Sequence, residues 1–432
     1  MLKVEPSDTS EQRNIMNQKT VTSVNFTDLG LAPVFTNTLV KLSITHPTPI
    51  QAEAIPVILE AKDIIGIAQT GTGKTLAFGL PMLQRLALTK GTGLILAPTR
   101  ELAAQVDEKM IAIGRELGIK TAMLVGGANM GAQMRKLREN PHVIIATPGR
   151  INDHIRQKTI DLTGVSMLVL DEADRMLDMG FEPQIRTIIA MVPKSRQTLL
   201  FSATMPPKIE KMASSYMKSP VRVQVSTAGM PVAKIHEEIY FVGKEDKSRL
   251  LEKLLIEHKG TILVFSRTKH GAKRIARHIQ DMGHTATDIH SNKSLTQRTA
   301  ALMGFKKGTY RVLVATDIAA RGIDVSDIEL VINYDLPDAA EDYVHRIGRT
   351  GRAGKEGKAI TFAGYDERRD VANIERVTKK RLPERQKPID LPPLRQSSIK
   401  ERDYESKKFG GRNSRGGGFK SGGSSKPWQR RR

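Results

Sequence analysis

The chain has 432 residues, 39% hydrophobic and 26% charged, which is enough for two or three domains with sizeable cores. It contains no cysteine, which excludes disulfides, thiolate metal sites and cysteine nucleophiles, and its ten histidines show no close pairing at metal-ligand spacing. The net charge of +22 points to a polyanion partner, most directly nucleic acid, because Lys and Arg that bind phosphates release counterions.

From the N-terminus, residues 1–23 show little apolar periodicity and are expected to form a flexible arm. Met1 to Thr20 is polar with both charge signs, unlike a signal or transit peptide, and no apolar run reaches the roughly 18 residues that span a membrane. A cytoplasmic location is expected. Residues 24–225 then alternate strand-like apolar runs with helix-length segments. The expected strands are Ile64 to Ala68, Gly93 to Ala97, Ala122 to Val125, Val143 to Ala146, Met167 to Leu170 and Thr198 to Ser202. Residues 226–234, containing Ser226, Gly229 and Pro231, read as a linker. A second alternation fills residues 235–385, with strands expected at Ile235 to Val242, Thr261 to Phe265, Thr285 to Ile289, Arg311 to Ala315, Leu330 to Asn333 and Lys358 to Phe362. The pattern predicts an α/β protein of two parallel-sheet lobes with a cleft between them. Residues 386–432 are expected to be a disordered Gly/Ser/Arg/Lys-rich tail, and Ser406 to Arg432 holds nine Lys or Arg and no acid.

The chemistry begins after the first strand. Ala68, Gln69, Thr70, Gly71, Thr72, Gly73, Lys74 and Thr75 depart from the strict GxxxxGK[ST] pattern, because Ala68 stands where the first Gly would be. The two glycines still allow backbone amides to face phosphates ahead of a helix N-terminus. Lys74 would reach the outer phosphates and the Thr75 hydroxyl would ligate Mg²⁺; a Gly-rich surface turn is the plainer alternative. Met167 to Leu170 runs into Asp171-Glu172-Ala173-Asp174. Asp171 would hold Mg²⁺, partly through water, and Glu172 would orient and deprotonate the attacking water; alone, the motif could be a solvated acidic turn. In the second half His345-Arg346-Ile347-Gly348-Arg349-Thr350-Gly351-Arg352 spaces three arginines at i, i+3 and i+6. Guanidinium suits the charge that develops on a transferring phosphoryl group, so hydrolysis would depend on closing the cleft.

Together with Pro47-Thr48-Pro49-Ile50-Gln51, Pro98-Thr99-Arg100-Glu101-Leu102, Gly126-Gly127, Thr147-Pro148-Gly149-Arg150, Ser202-Ala203-Thr204 and Ala319-Ala320-Arg321-Gly322-Ile323-Asp324, these motifs resemble the DEAD-box RNA helicases of superfamily two, specifically their bacterial RhlE-type branch. The resemblance runs from about Phe26 to Lys380. It implies two tandem RecA-like lobes and an RNA-dependent ATPase with ATP and Mg²⁺ as cofactors, which unwinds short RNA duplexes or remodels RNA–protein complexes non-processively. RNA, in ribosomal precursors or RNA-degradation complexes, is the implied partner. A non-catalytic RNA chaperone or clamp is the alternative, and a DNA-translocating helicase a second.

By the same resemblance, Gln51 would read adenine through a bidentate contact, and Gly322 and Asp324 would touch the nucleotide from the second lobe. Lys74, Glu172, Arg349 and Arg352 would be catalytic. Asp174, Ser202, Thr204 and His345 would couple nucleotide state to closure. RNA contacts would fall on Pro98, Thr99, Arg100, Gly127, Thr147, Gly149, Arg150, Arg267, Arg298, Thr316 and Arg321, residues suited to sugar and phosphate rather than base edges. The basic tail, with Phe409, Phe419 and Trp428, would tether RNA without sequence preference, or merely solubilise the chain.

Three positions depart from the family pattern. Leu295 replaces the Gln of the Gln-x-x-Arg element, Ser291 follows His290 where Gly is usual, and Ser43-Ile44 stands in place of Gly and an adenine-stacking aromatic. Losing base stacking costs about 1 kcal/mol or more. Ile44→Phe is therefore expected to tighten ATP binding several-fold, read from a nucleotide titration.

Overall fold

Short apolar runs buried on both faces form the central strands, and each expected run falls on a strand in the computed structural model, which describes residues 24–69, 71–225, 235–320, 328–351 and 356–393. The expected arm (1–23), the linker (226–234) and residues 394–432 of the tail lie outside the described residues, as do Thr70, Arg321, Gly322, Asp324 and Arg352.

The first lobe opens with helices α1 (Pro33–Lys41) and α2 (Pro49–Leu59). It continues with β1 (Ile64–Ile67), α3 (Lys74–Leu88), β2 (Thr92–Leu96), α4 (Arg100–Gly114), β3 (Thr121–Leu124), α5 (Met130–Arg138), β4 (Val143–Ala146) and α6 (Pro148–Arg156). Then come β5 (Val165–Leu170), α7 (Ala173–Asp178), α8 (Glu182–Met191), β6 (Gln197–Ser202), α9 (Pro207–Tyr216) and β7 (Val221–Gln224). The second lobe runs β8 (Ile235–Phe241), α10 (Lys244–Glu257), β9 (Ile262–Phe265), α11 (Lys269–Asp281), β10 (Ala286–Ile289), α12 (Leu295–Lys306) and β11 (Val312–Ala315). It ends with α13 (Asp317–Ala320), β12 (Leu330–Asn333), α14 (Ala340–Ile347), β13 (Gly357–Ala363), α15 (Arg368–Thr378) and β14 (Glu384–Arg385).

All pairings in both sheets are parallel, and the two sheets share one strand order: β3-β4-β2-β5-β6-β1-β7 and β10-β11-β9-β12-β13-β8-β14. Alternate residues feed opposite cores. In the first lobe Ile64, Ile95, Val169 and Phe201 pack on one face, whereas Ile65, Leu94, Leu168 and Leu200 pack on the other. The second lobe repeats this with Leu263, Leu313 and Val331 against Val264, Val314 and Ile332. This is the doubly covered parallel sheet that continuous apolar strands require. The two halves differ at one equivalent connection. Between β1 and α3 six residues intervene (68–73), but between β8 and α10 only Val242 and Gly243 do.

Two strands had no sequence signal. β7 and β14 are short edge strands with mostly exposed side chains, so no apolar run marks them. The disorder expected from residue 386 onward does not hold for residues 386–393. Residues 386–393 are not loose, because Arg249 on α10 donates to the carbonyls of Leu391 (3.1 Å) and Pro392 (2.6 Å), Lys387 pairs with Asp246 (2.7 Å), and Leu391 is buried in the core. The crowded prolines that suggested disorder mark an extended segment held by its carbonyls.

Asp63 pins the start of β1 to both neighbouring strands. Its buried carboxylate accepts from Thr198 N and Lys218 N, each at 2.7 Å, and its carbonyl accepts from Val221 N at 2.8 Å. Asp63→Ala would strand two backbone donors at about 1–3 kcal/mol each. The expected outcome is a first lobe weaker by roughly 3 kcal/mol in urea or thermal unfolding, with Asp63→Asn milder because it keeps one acceptor.

Candidate nucleotide site and nucleic-acid groove

Parallel sheets present the loops after their strands along one edge, and here β5, β6 and β1 are adjacent. The register sets Ile67 beside Ser202 and Leu170 beside Leu200, so the phosphate loop, Asp171-Glu172 and Ser202 to Thr204 emerge side by side. Ala68 N donates to Ser202 O at 3.0 Å, which locks the loop's first residue to the end of β6.

The loop folds back on itself. Lys74 is buried at the first position of α3 and its Nζ donates to Ala68 O at 2.9 Å, while Thr72 Oγ1 donates to Gln69 O at 2.7 Å. Gly73 precedes the helix at φ +91°, and a Cβ there would lie 2.3 Å from Gln51 Nε2. Only glycine fits. Gln51 itself is buried; its Nε2 donates to Gly73 O (3.0 Å) and its Oε1 accepts from Thr48 N (2.9 Å). The expected adenine reader thus also latches the start of α2 to the loop, a second use that sequence reasoning missed. Each of its amide atoms keeps a further bonding capacity. Ile44, at the position expected to stack on the base, is half-buried and packs against the first-lobe core. Ser43 beside it holds φ +58°, a left-handed conformation that glycine would adopt without strain.

The acidic motif is buried throughout, and each carboxylate is accommodated differently. Glu172 takes a left-handed backbone (φ +52°, ψ +52°) just before α7, strain of the sort kept at functional sites, and its Oε2 accepts from Arg175 Nη1 at 2.8 Å with both side chains 3% exposed. Asp174 Oδ2 accepts from Ala203 N (3.1 Å), Thr204 N (2.8 Å) and Thr204 Oγ1 (2.9 Å), and Asp174 N donates to Ser202 Oγ (3.2 Å). Of the expected coupling residues, Asp174, Ser202 and Thr204 form one hydrogen-bonded unit. Asp171 has no such cage. Burial pushes its carboxyl up to about 6, Lys74 opposing this and the Glu172 charge adding to it.

Asp171 Oδ1 is buried and has no hydrogen-bond partner. A carboxylate oxygen left bare beside a phosphate loop fits a divalent cation, and one carboxylate with a hydroxyl, phosphates and waters is an ordinary Mg²⁺ environment. Asp171 and the half-buried Thr75 are the residues that would hold it.

From the second lobe, α14 and the residues after it bring three of the expected groups. The Arg346 guanidinium is not available to a phosphate: it is 1% exposed, donates from Nη2 to Asp317 Oδ2 (2.7 Å) and lies over the Phe265 ring (5.0 Å). Of the three spaced arginines, this one builds the lobe. Arg349 is 3% exposed and donates from Nε to His345 O at 3.2 Å. Burial lowers the His345 pKa, the Arg175 guanidinium lowers it further, and Asp174 opposes. Those last two charges belong to the first lobe, so α14 faces the acidic motif.

Pro98, Thr99, Arg100, Thr147, Gly149, Arg150 and Arg298 line one groove of about 690 Å³ between the lobes. Thr99 caps α4, its Oγ1 accepting from Leu102 N at 3.2 Å. Arg150 donates to Val125 O (3.0 Å) and Ala128 O, which shapes the Gly126-Gly127 turn. At Gly127 φ is +76° and a Cβ would meet Arg100 Nη1 at 2.3 Å, so Arg100 lies flat against the turn. Arg298 pairs with Glu101 across the lobes at 2.7 Å. Arg267 lies elsewhere, paired with Asp338 (3.3 Å) and Glu367 (3.1 Å), and Gly127, Arg267 and Thr316 do not line the groove. Sequence reasoning missed Arg156, Phe181 and Gln184, which extend the groove along α6 and α8; they carry no motif, and only the fold brings them there.

Residues 48–212 match the DEAD/DEAH box helicase family, and residues 246–354 match the helicase conserved C-terminal domain. A DEAD-box ATP-dependent RNA helicase of Bacillus cereus, CshA, is 44% identical over 360 residues, covering 83% of this chain and 69% of that protein. The chain belongs to the DEAD-box ATP-dependent RNA helicases. Among solved members, S. cerevisiae Dbp5 bound to RNA and ADP BeF3 overlays with a TM-score of 0.74 at 30% identity, over 88% of this chain and 98% of that one. A point variant of S. cerevisiae Dbp5 bound to Gle1 and IP6 reaches 0.65 at 29% identity, over 89% and 98%. The lobes of this DEAD-box helicase therefore sit nearer the arrangement of the RNA- and nucleotide-bound relative. Among the described residues no helix is long and apolar enough to cross a membrane.

Burial of Asp171 ties the stability of the first lobe to pH. Between about pH 4 and 6 the folded helicase holds a proton that the unfolded chain has lost, so this group's contribution to stability falls as pH rises through that window. Without metal, Asp171→Asn is expected to melt above wild type at about pH 7 and level with it near pH 4; Mg²⁺ should raise only the wild-type melting temperature.

Proposed function

We propose that this chain is an RNA-dependent ATPase that separates short RNA duplexes, or remodels RNA–protein complexes, by bending one strand across closed lobes without processive travel. The observation that carries the reading is the convergence of Lys74, Asp171, Glu172 and Asp174 at adjacent strand ends facing His345 from the other lobe. Lys74 binds the outer phosphates. Glu172, its carboxylate oriented by Arg175, takes the proton of the attacking water. Arg349, with Arg352, meets the charge that develops on the transferring phosphoryl group, and Gln51, Gly322 and Asp324 hold the nucleotide. When bound, Mg²⁺ supplies positive charge to the outer phosphate oxygens. The Asp174–Ser202–Thr204 unit passes the state of the site to the lobes. RNA lies along the groove of Thr99, Arg100, Thr147, Gly149 and Arg150, held by sugar and phosphate contacts.

We place the protein in the cytoplasm, in the RhlE-like branch and on RNA in ribosomal precursors or RNA-degradation complexes; the motif resemblance supports the branch, and the absence of a spanning helix among the described residues is compatible with the location. Residues 24–225 and 235–393 are the two working lobes, the second extended beyond 385 by the segment that Arg249 holds. A clamp that only binds RNA would not need the intact set of Lys74, Glu172 and Arg349. ATPase rates with and without RNA decide the matter. Wild type should be stimulated by RNA, and Glu172→Gln should lose about 10² or more in turnover while still binding ATP. RNA-independent turnover, or activity that survives Glu172→Gln, would overturn the mechanism.

A further inference from the structure

Arg298 and Glu101 lie in different lobes and meet at 2.7 Å, each side chain 5% exposed. Burial raises the Glu101 pKa and the Arg298 guanidinium pulls it back. Neither charge could be buried alone without a large desolvation cost, so the pair belongs to the closed arrangement and dissolves into water when the lobes part. Three residues earlier on the same helical face stands Leu295, one of the departures from the family pattern. Its side chain is half-buried and packs against a first-lobe core cluster otherwise drawn from residues 24–225. Position 295 is set by the cap of α12: Ser294 Oγ accepts from Gln297 N (3.2 Å) and Gln297 Oε1 accepts from Ser294 N (3.0 Å). Leu295 is thus presented to the first-lobe core at the first helical position of α12, and not free to fray away.

We propose that Leu295 and the Glu101–Arg298 pair form one lobe-to-lobe latch beside the nucleic-acid groove, which the ion pair lines, with Leu295 as a positioning residue that holds the ion pair dry. An aliphatic side chain at this place does what the family's usual Gln cannot. It leaves water on closure and gains nothing while the lobes are apart, so its contribution goes to the closed state alone. It also shields the pair, whose attraction strengthens as solvent withdraws. Glu101 directly follows Arg100 in the first turn of α4, so the latch steadies the same turn that carries Thr99 and Arg100 into the groove. Arg298 therefore works chiefly through Glu101, and its expected contact with RNA is secondary.

The inference rests on the closure-coupled reading above, and one experiment separates the two. Full-length protein labelled once in each lobe reports closure by energy transfer as a single-stranded oligo-uridine RNA is titrated with a non-hydrolysable ATP analogue; the ATPase is titrated in parallel. Leu295→Gln should raise the RNA concentration for half-maximal closure and half-maximal ATPase by about five- to tenfold, the scale of losing partial burial of one aliphatic side chain. Maximal turnover and nucleotide affinity without RNA should stay within about twofold. Leu295→Met should behave as wild type, and Glu101→Gln combined with Leu295→Gln should cost less than the product of the single effects. Leu295→Gln curves that overlay wild type, or a Leu295→Met defect equal to that of Leu295→Gln, would overturn the latch. A wild type whose ATPase ignores RNA would instead sink the functional reading beneath it.

Discussion

Three carboxylates within four residues are almost wholly buried at the end of one strand, and the rest of the molecule is arranged to make that tolerable. A buried charge survives only with a partner or by taking up a proton. Glu172 has Arg175, Asp174 has the amides and hydroxyl of residues 203 and 204, and Asp171 has the nearby Lys74 and an oxygen with no partner. In the proposed mechanism the three solutions would suit three roles: Glu172 fixed in orientation by Arg175, Asp174 bonded to the end of the neighbouring strand, and Asp171 with an oxygen open to a cation. The three acids differ in what each is bonded to, not in how deeply each is buried.

The same constraint explains the second lobe's part. Near the acidic motif it brings imidazole and guanidinium; at the groove it brings Arg298 to Glu101. At the groove opposite charges come from opposite lobes, so desolvation cost and electrostatic gain arise together on closure. Parting the lobes returns these groups to water at little cost. The arrangement favours a molecule that cycles rather than one that stays shut.

Much of this was legible in the sequence because the decisive motifs are local. A strand, a tight turn and a helix start lie within a dozen residues, so Lys74 and Asp171 could be placed before any tertiary contact was known. What escaped notice depends on partners distant in the chain. Arg346 looks like its neighbour Arg349 until Asp317 and Phe265 are seen around it. Gln51 reads as a nucleotide contact, and its second task at Gly73 appears only with the loop folded. The edge strands β7 and β14 lack an apolar run, since exposure removes the need for one. Residues 386–393 look like the start of a disordered tail, yet Arg249 collects their carbonyls.

The repeated strand order has a consequence for stoichiometry. Two sheets of one topology offer two equivalent crevices after β1 and after β8, but the connection in the second lobe is Val242-Gly243, too short to wrap a phosphate chain. The helix that follows it carries Glu245 and Asp246 in its first turn, so the positive end of α10 is already neutralised by its own acids. Of these two crevices, the one after β1 has the loop long enough to cradle phosphates. In the proposed mechanism the second copy of the architecture would meet the phosphates through Arg349 after α14, as a lid on the first, and not through a loop after its own β8.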